Sequence, residues 1–213
     1  MKKTIITTIK LLVIIVFFVS CKSSSYLLTN NDYSTGVDFT TGKWLLNNLD
    51  FPANNNEKLT NMATSFFIEQ LNDRYHYREN TSGLLIPHHI AFNPNKQKLK
   101  ELKIGTGFDY FINITSKKIK DDIGSIGLYE DDYSEGKNQS EVTIEIYDLN
   151  LLEIIYKQRV VGTVHANQQK SVWEDQKSDK LIDNITFHKS ADKLLLGSLK
   201  KVLKDLKNKS IKN

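Results

Sequence analysis

The chain has 213 residues, 39% of them hydrophobic and 25% charged, with 10 glycines, 3 prolines and a single cysteine. These proportions describe a globular protein and exclude a polytopic membrane protein and a collagen-like or low-complexity chain. They equally exclude a fold held by intramolecular disulfides or a multi-cysteine zinc module.

Residues 1–20 read as an export signal: Lys2 and Lys3 open it, an apolar stretch runs from Ile5 to Val19, and small Ser20 precedes Cys21. Lys10 interrupts the stretch, leaving Leu11–Val19, far short of the roughly 20 apolar residues that span a bilayer. Phe18-Val19-Ser20-Cys21 resembles a bacterial lipobox, with Phe18 in place of the usual Leu. The resemblance implies cleavage before Cys21, diacylation of its thiol and acylation of the new amine; the alternative is an ordinary secretory signal with an incidental cysteine. The formal charge of +4 includes Lys2, Lys3 and Lys10, so the mature chain is close to neutral and no nucleic-acid partner is expected. Charge is instead polarised along the chain, with eight lysines and two aspartates from Lys189 onward. Position 22 is Lys, not the aspartate that retains many lipoproteins in the inner membrane, and no acidic run follows. The expected location is therefore the outer membrane, lipid-anchored and facing the periplasm.

Residues 21–40, rich in Ser, Thr, Asn and Tyr, read as a lipidated tether averaging about 24 Å in span, and residues 41–213 as a single domain. Trp44–Phe51, ended by Pro52, is a first strand. Leu59, Met62, Ala63, Phe66, Phe67 and Leu71 fall at helical spacing behind the Asn54–Asn56 cap residues. Tyr75–Arg78 reads as a second strand. After a loop with Pro87 and Pro94, Asn95 caps a short helix over Gln97–Ile104 that Gly105 and Gly107 break. Phe108–Ile119 alternates as a third strand, with Tyr110, Ile112 and Ile114 on one side and Phe111 and Asn113 on the other. Residues 120–140 are a polar excursion. Glu141–Tyr147 and Leu152–Val164 form a hairpin about Asp148–Asn150, the first strand alternating as though one face were buried. Residues 168–180 read as irregular. A last helix starts between Asp179 and Ser190 and runs to about Lys207, with Ala191, Leu194, Leu195, Val202 and Leu206 on one stripe and lysines on the other. The order βαβαββ(β)α predicts an α+β fold: a single mixed sheet with helices packed on one face.

Gly42–Leu46, Met62–Phe67, Gly107–Ile114 and Val142–Asp148 running into Leu152–Val161, with the closing amphipathic helix, resemble a group of outer-membrane lipoproteins. That group shares the domain of the curli secretion lipoprotein, of penicillin-binding-protein activator lipoproteins and of the amino-terminal part of the Tol translocation protein. The resemblance covers roughly residues 42–207 and rests on Gly107-x-Asp109-Tyr110 and Tyr147-Asp148-Leu149-x-x-Leu152. It implies an envelope lipoprotein that binds or scaffolds other envelope proteins, with homo-oligomers among the group's assemblies. The 120–140 excursion lacks the alternating apolar residues of membrane-spanning hairpins, which argues against a pore, and the tether is short for a reach through peptidoglycan.

Chemistry-bearing patterns are sparse. His88 and His89, with His76 nearby, lack metal-ligand spacing and read as loop residues. Asp121, Asp122, Tyr129, Glu130, Asp131, Asp132 and Tyr133 form an acidic, aromatic loop without the spacing of a calcium loop; they are the candidate partner-binding residues. Gly105-Thr106-Gly107 follows a helix, whereas nucleotide loops precede one. There is no GxSxG. The expected protein is not an enzyme, holds no cofactor beyond the lipid on Cys21, and has the outer membrane and an envelope protein as partners. The alternative is a lipoprotein that binds a glycan or small molecule.

Overall fold

The computed structural model describes residues 24–34, 36–49, 51–52, 56–87, 90–123, 126–128, 136–165 and 185–211. The elements are β1 (Ser25–Ser34), β2 (Trp44–Leu46), α1 (Asn56–Leu71), β3 (Tyr75–Tyr77), α2 (Lys96–Thr106), β4 (Tyr110–Asp121), β5 (Ile126–Leu128), β6 (Lys137–Asp148), β7 (Glu153–His165), β8 (Ile185–Phe187) and α3 (Ala191–Lys209). Six strands form one sheet in the order β1-β7-β6-β4-β2-β3, open at both edges, while β5 and β8 form a separate antiparallel pair. β2 is parallel to β3 and β4, and the other pairings in the large sheet are antiparallel. The sheet is mixed and the fold α+β, as the sequence predicts.

Residues 25–34 correct the tether reading. They form β1, which pairs antiparallel with β7 from Ser25↔Thr163 to Ser34↔Tyr156. What holds the strand is Tyr26, whose ring lies between Gly162 on β7 and Gly197 on α3. A Cβ on Gly197 would stand 2.0 Å from the Tyr26 hydroxyl. Leu28 also packs against the core while adjacent Leu27 is exposed, so the strand's sequence shows no clean alternation, and its pairing is made by the main chain.

Period-two alternation sorts the sheet's side chains into two layers. Trp44, Leu46, Ile112, Ile144, Ile146 and Tyr156 meet α1 through Leu59, Ala63 and Phe67 and α3 through Leu195, Leu199 and Val202 in the main core. On the reverse face Leu45, Phe111, Tyr147 and Leu149 meet Leu99 and Leu102 of α2. The expectation of helices on one face thus holds for the two long helices, and α2 departs from it. Crossover handedness explains why. The connection from β2 to β3 moves outward across the sheet, whereas that from β3 to β4 moves back past β2. Right-handed crossovers in opposite directions place their helices on opposite faces.

The two phrases behind the family resemblance meet at one end of the sheet. Asp109 accepts the Lys43 N–H at 2.9 Å and the Lys103 ammonium at 2.9 Å, and its own carbonyl accepts Leu149 N–H at 2.8 Å. Asp148 Oδ1 accepts the N–H groups of Asn150 and Leu151 at 2.8 and 2.9 Å, which sets the β6–β7 turn. The Lys43 N–H first, and Lys103 after it, hold the Asp109 carboxyl below the usual carboxylate range. A depressed pKa contributes stability above the unfolded-state value that is lost as pH falls through the folded value. Asp109→Ala should therefore cost about 2 kcal/mol at neutral pH, and urea unfolding should show that deficit shrinking as pH falls below about 4.

Candidate apolar groove on the reverse face

On the reverse face the sheet presents polar side chains where α2 ends its cover. Asn113 stands opposite Glu145 across β4 and β6, and Glu145 opposite Lys157 across β6 and β7. Glu145 is fully buried. Burial of a carboxylate is tolerated when it is paired and hydrogen-bonded, and here every neighbour contributes: Lys157 Nζ lies 2.6 Å from Oε1, the Asn93 N–H donates to Oε2 at 2.8 Å, and the Tyr147 hydroxyl donates to the same oxygen. Burial first, and the Glu145 charge second, push the Tyr147 phenol far above its ordinary value, so it stays a donor.

A second chain of bonds runs beside it. Asn47 Nδ2 donates to Asn113 Oδ1 at 3.0 Å, and Asn113 Nδ2 donates to the Ile90 carbonyl at 3.1 Å. Arg78 donates to Asn47 Oδ1 at 2.8 Å and to the Pro87 carbonyl at 2.7 Å. Both chains end on the irregular segment between Leu84 and Asn95. That segment is also fastened to α2 by Leu85 N–H to the Gly105 carbonyl at 2.9 Å. A Cβ on Gly105 would lie 2.3 Å from the Leu85 carbonyl oxygen, so only glycine lets loop and helix approach this closely.

Between the fastened loop and α2 lies a cavity of about 670 Å³ lined by Leu85, Ile86, Ile90, Phe92, Leu102 and Ile104 among others. Its charged lining residues, Lys98 and Glu101, pair with each other at 2.7 Å. Two of the lining side chains are largely exposed: Leu85 is 84% exposed and Ile104 75%. The groove is thus built to receive apolar surface. Among the described lining residues the only charged side chains are the paired Lys98 and Glu101.

The residues singled out from the sequence lie elsewhere. Asp121 ends β4, and its carboxylate accepts the Ala191 N–H at 3.2 Å, at the start of α3. Asp122 donates its N–H to the Lys137 carbonyl at 3.3 Å, and its carboxylate is 3.8 Å from Lys120. Cys21, Tyr129, Glu130, Asp131, Asp132, Tyr133, His88 and His89 lie outside the described residues. His76 packs edge-on against Phe108 at 5.0 Å. Among the described residues no three His, Cys, Asp or Glu are placed to hold a metal, and no helix is long and apolar enough to cross a membrane. Sequence reasoning missed the groove, although a signal was present: the segment from Leu84 to Phe92 carries Leu84, Leu85, Ile86, Ile90, Ala91 and Phe92, too apolar for a loop that faces only water.

No protein-family model and no curated protein matches the sequence. Solved structures do. The PelC dodecamer from Paraburkholderia phytofirmans is 10% identical, covers 89% of this chain and 100% of its own, and superposes with a TM-score of 0.43. The hypothetical protein CT253 from Chlamydia trachomatis is 10% identical over 78% of this chain and 98% of its own, with a TM-score of 0.36. Lipoprotein GNA1162 from Neisseria meningitidis is 10% identical over 76% of this chain and 99% of its own, with a TM-score of 0.34. Likenesses of this size identify neither an activity nor a partner.

Proposed function

We propose that the protein is a non-catalytic envelope lipoprotein, anchored in the outer membrane through acylated Cys21 and facing the periplasm, whose groove docks an apolar segment of a partner envelope protein. The observation that carries the docking is the exposure of Leu85 and Ile104 at the lining of an apolar cavity. A partner that extends beyond the cavity buries these two exposed side chains more fully than a small ligand seated inside it. Full burial of one such aliphatic is worth roughly 1.5–3 kcal/mol. The lipobox-like Phe18–Cys21 supports the anchor.

A stoichiometric partner captured from detergent extracts by the wild type and lost with Leu85→Asp plus Ile104→Asp is the expected result. The unfolding midpoint should stay close to that of the wild type, because surface substitutions usually cost within about 0.5 kcal/mol. Equal capture by both proteins would defeat the docking. Light scattering during size exclusion tells whether the docked partner is a second copy. The volume of the cavity favours a second reading, a small apolar molecule, since ligand pockets run to roughly 300–1,000 Å³. A thermal-shift response to apolar ligands that Leu102→Phe abolishes would establish it. A glycan fits less well, because the described lining residues offer one aromatic ring and one ion pair. The anchor has its own check: Cys21→Ser should move the protein from the membrane fraction to the soluble one.

A further inference from the structure

α3 carries charge in an uneven way. Its two acids are consumed within the fold: Asp192 pairs with Lys118 on β4, and Asp205 pairs with Lys209 and accepts the Tyr156 hydroxyl at 3.0 Å. Its apolar stripe is buried in the main core. What remains outside is Lys193, Lys200, Lys201, Lys204 and Lys207, all exposed, and only Lys207 has a described carboxylate partner, Glu69. The solvent side of this 19-residue helix is therefore cationic over nearly its whole length.

The second observation is where the anchored end of the chain arrives. β1 runs beside α3 through the contact of Tyr26 with Gly197. Lys189, just before the helix, donates to Ser24 Oγ at 2.8 Å and lies over the Tyr26 ring. Cys21 precedes Ser24 by three residues, which reach at most about 11 Å. If Cys21 is acylated, as proposed above, the bilayer surface is within that distance of Ser24, which Lys189 ties to the start of α3.

We infer that α3 is a membrane-contacting helix: its lysine side lies against anionic phospholipid headgroups, so the domain rests on the membrane on this side and turns the opposite face of the sheet, with the groove, away from it. Each lysine near an anionic surface contributes about 1 kcal/mol, and the attraction fades beyond a Debye length of about 8 Å at physiological salt. The short anchor brings the start of α3, with Lys193, nearest the surface, and Lys200, Lys201 and Lys204 come within that reach as the helix lies along it.

Lysine acylation followed by mass spectrometry tests the contact on the full-length exported protein, reconstituted in phosphatidylethanolamine–phosphatidylglycerol vesicles and in phosphatidylcholine vesicles. Intact mass and flotation with the vesicles report the acyl anchor separately. Lys200, Lys201 and Lys204 should label about five-fold more slowly in the anionic vesicles, with Lys96 and Lys100 of α2 unchanged, and added salt should erase the difference. A protein that floats but labels equally in both lipids overturns the inference and leaves the anchor standing. Equal protection in both lipids overturns its electrostatic basis, and protection in cells but not in vesicles assigns this side to a protein. A chain without acyl groups overturns the anchor and this arrangement together.

Discussion

Replacing Glu145 by Ala should cost about 3–4 kcal/mol, a large share of the stability of a domain this size, because it leaves three buried or half-buried donors unmatched. Lys157 loses the carboxylate 2.6 Å away, the Tyr147 hydroxyl loses its acceptor, and the Asn93 N–H loses a bond of 2.8 Å. The same change should loosen the loop locally. Amide exchange at Asn93 should accelerate by more than the global loss explains, since that N–H is where the loop meets the carboxylate. Glu145→Gln keeps an acceptor for Asn93 and Tyr147 while removing the charge, so its cost should fall to about half. Urea unfolding of the three proteins checks the order. A loss under about 1 kcal/mol for Glu145→Ala would mean that water replaces the carboxylate and that the loop is held by the Asn47–Asn113 chain alone.

The second large effect concerns Gly197, where two rules predict opposite signs. Gly→Ala in a helix interior ordinarily stabilises by up to about 1 kcal/mol. At Gly197 the added carbon would stand 2.0 Å from the Tyr26 hydroxyl oxygen and 2.3 Å from Cζ, so the ring must leave its slot. We expect a net loss of about 2–3 kcal/mol in the wild-type background and exposure of β1 to proteolysis. In a Tyr26→Ala background the obstacle is gone, and Gly197→Ala should become neutral or mildly stabilising. That reversal, read from a double-mutant cycle by urea unfolding, separates the clash from any effect on the helix itself. The same negative sign in both backgrounds would overturn the slot as the reason for glycine.

How much of this was legible in the sequence follows from which interactions have a period. Tyr110, Ile112 and Ile114 alternate with Phe111 and Asn113, and the structure places the two sets in separate cores on opposite faces. Asn95 caps α2 and Ser190 caps α3 by accepting N–H bonds three residues on, as short-range chemistry allows. β1 escaped because its partner lies more than a hundred residues away and its few apolar residues, Tyr26, Leu27, Leu28 and Tyr33, do not alternate. The α2 face escaped because handedness belongs to the order of strands in the sheet, which no local pattern states. The groove escaped for a third reason. Glu145 between Ile144 and Ile146 reads as a solvent-facing residue of a half-buried strand, yet it is fully buried under a loop that the sequence places nowhere. The polar residues that matter most here were the ones alternation had assigned to water.

The bonds that fasten the 84–95 loop fall on its main chain: Leu85 N–H, the Pro87 and Ile90 carbonyls, and Asn93 N–H. Their side-chain partners, Arg78, Asn113 and Glu145, all belong to the sheet region beneath. Position and chemistry are thereby separated in this segment, with the frame written in one part of the chain and the surface it displays in another. An exposed side chain such as Leu85 can be exchanged without disturbing the bonds that hold the backbone in place. A loop built this way can change what it recognises while the rest of the protein stays as it is.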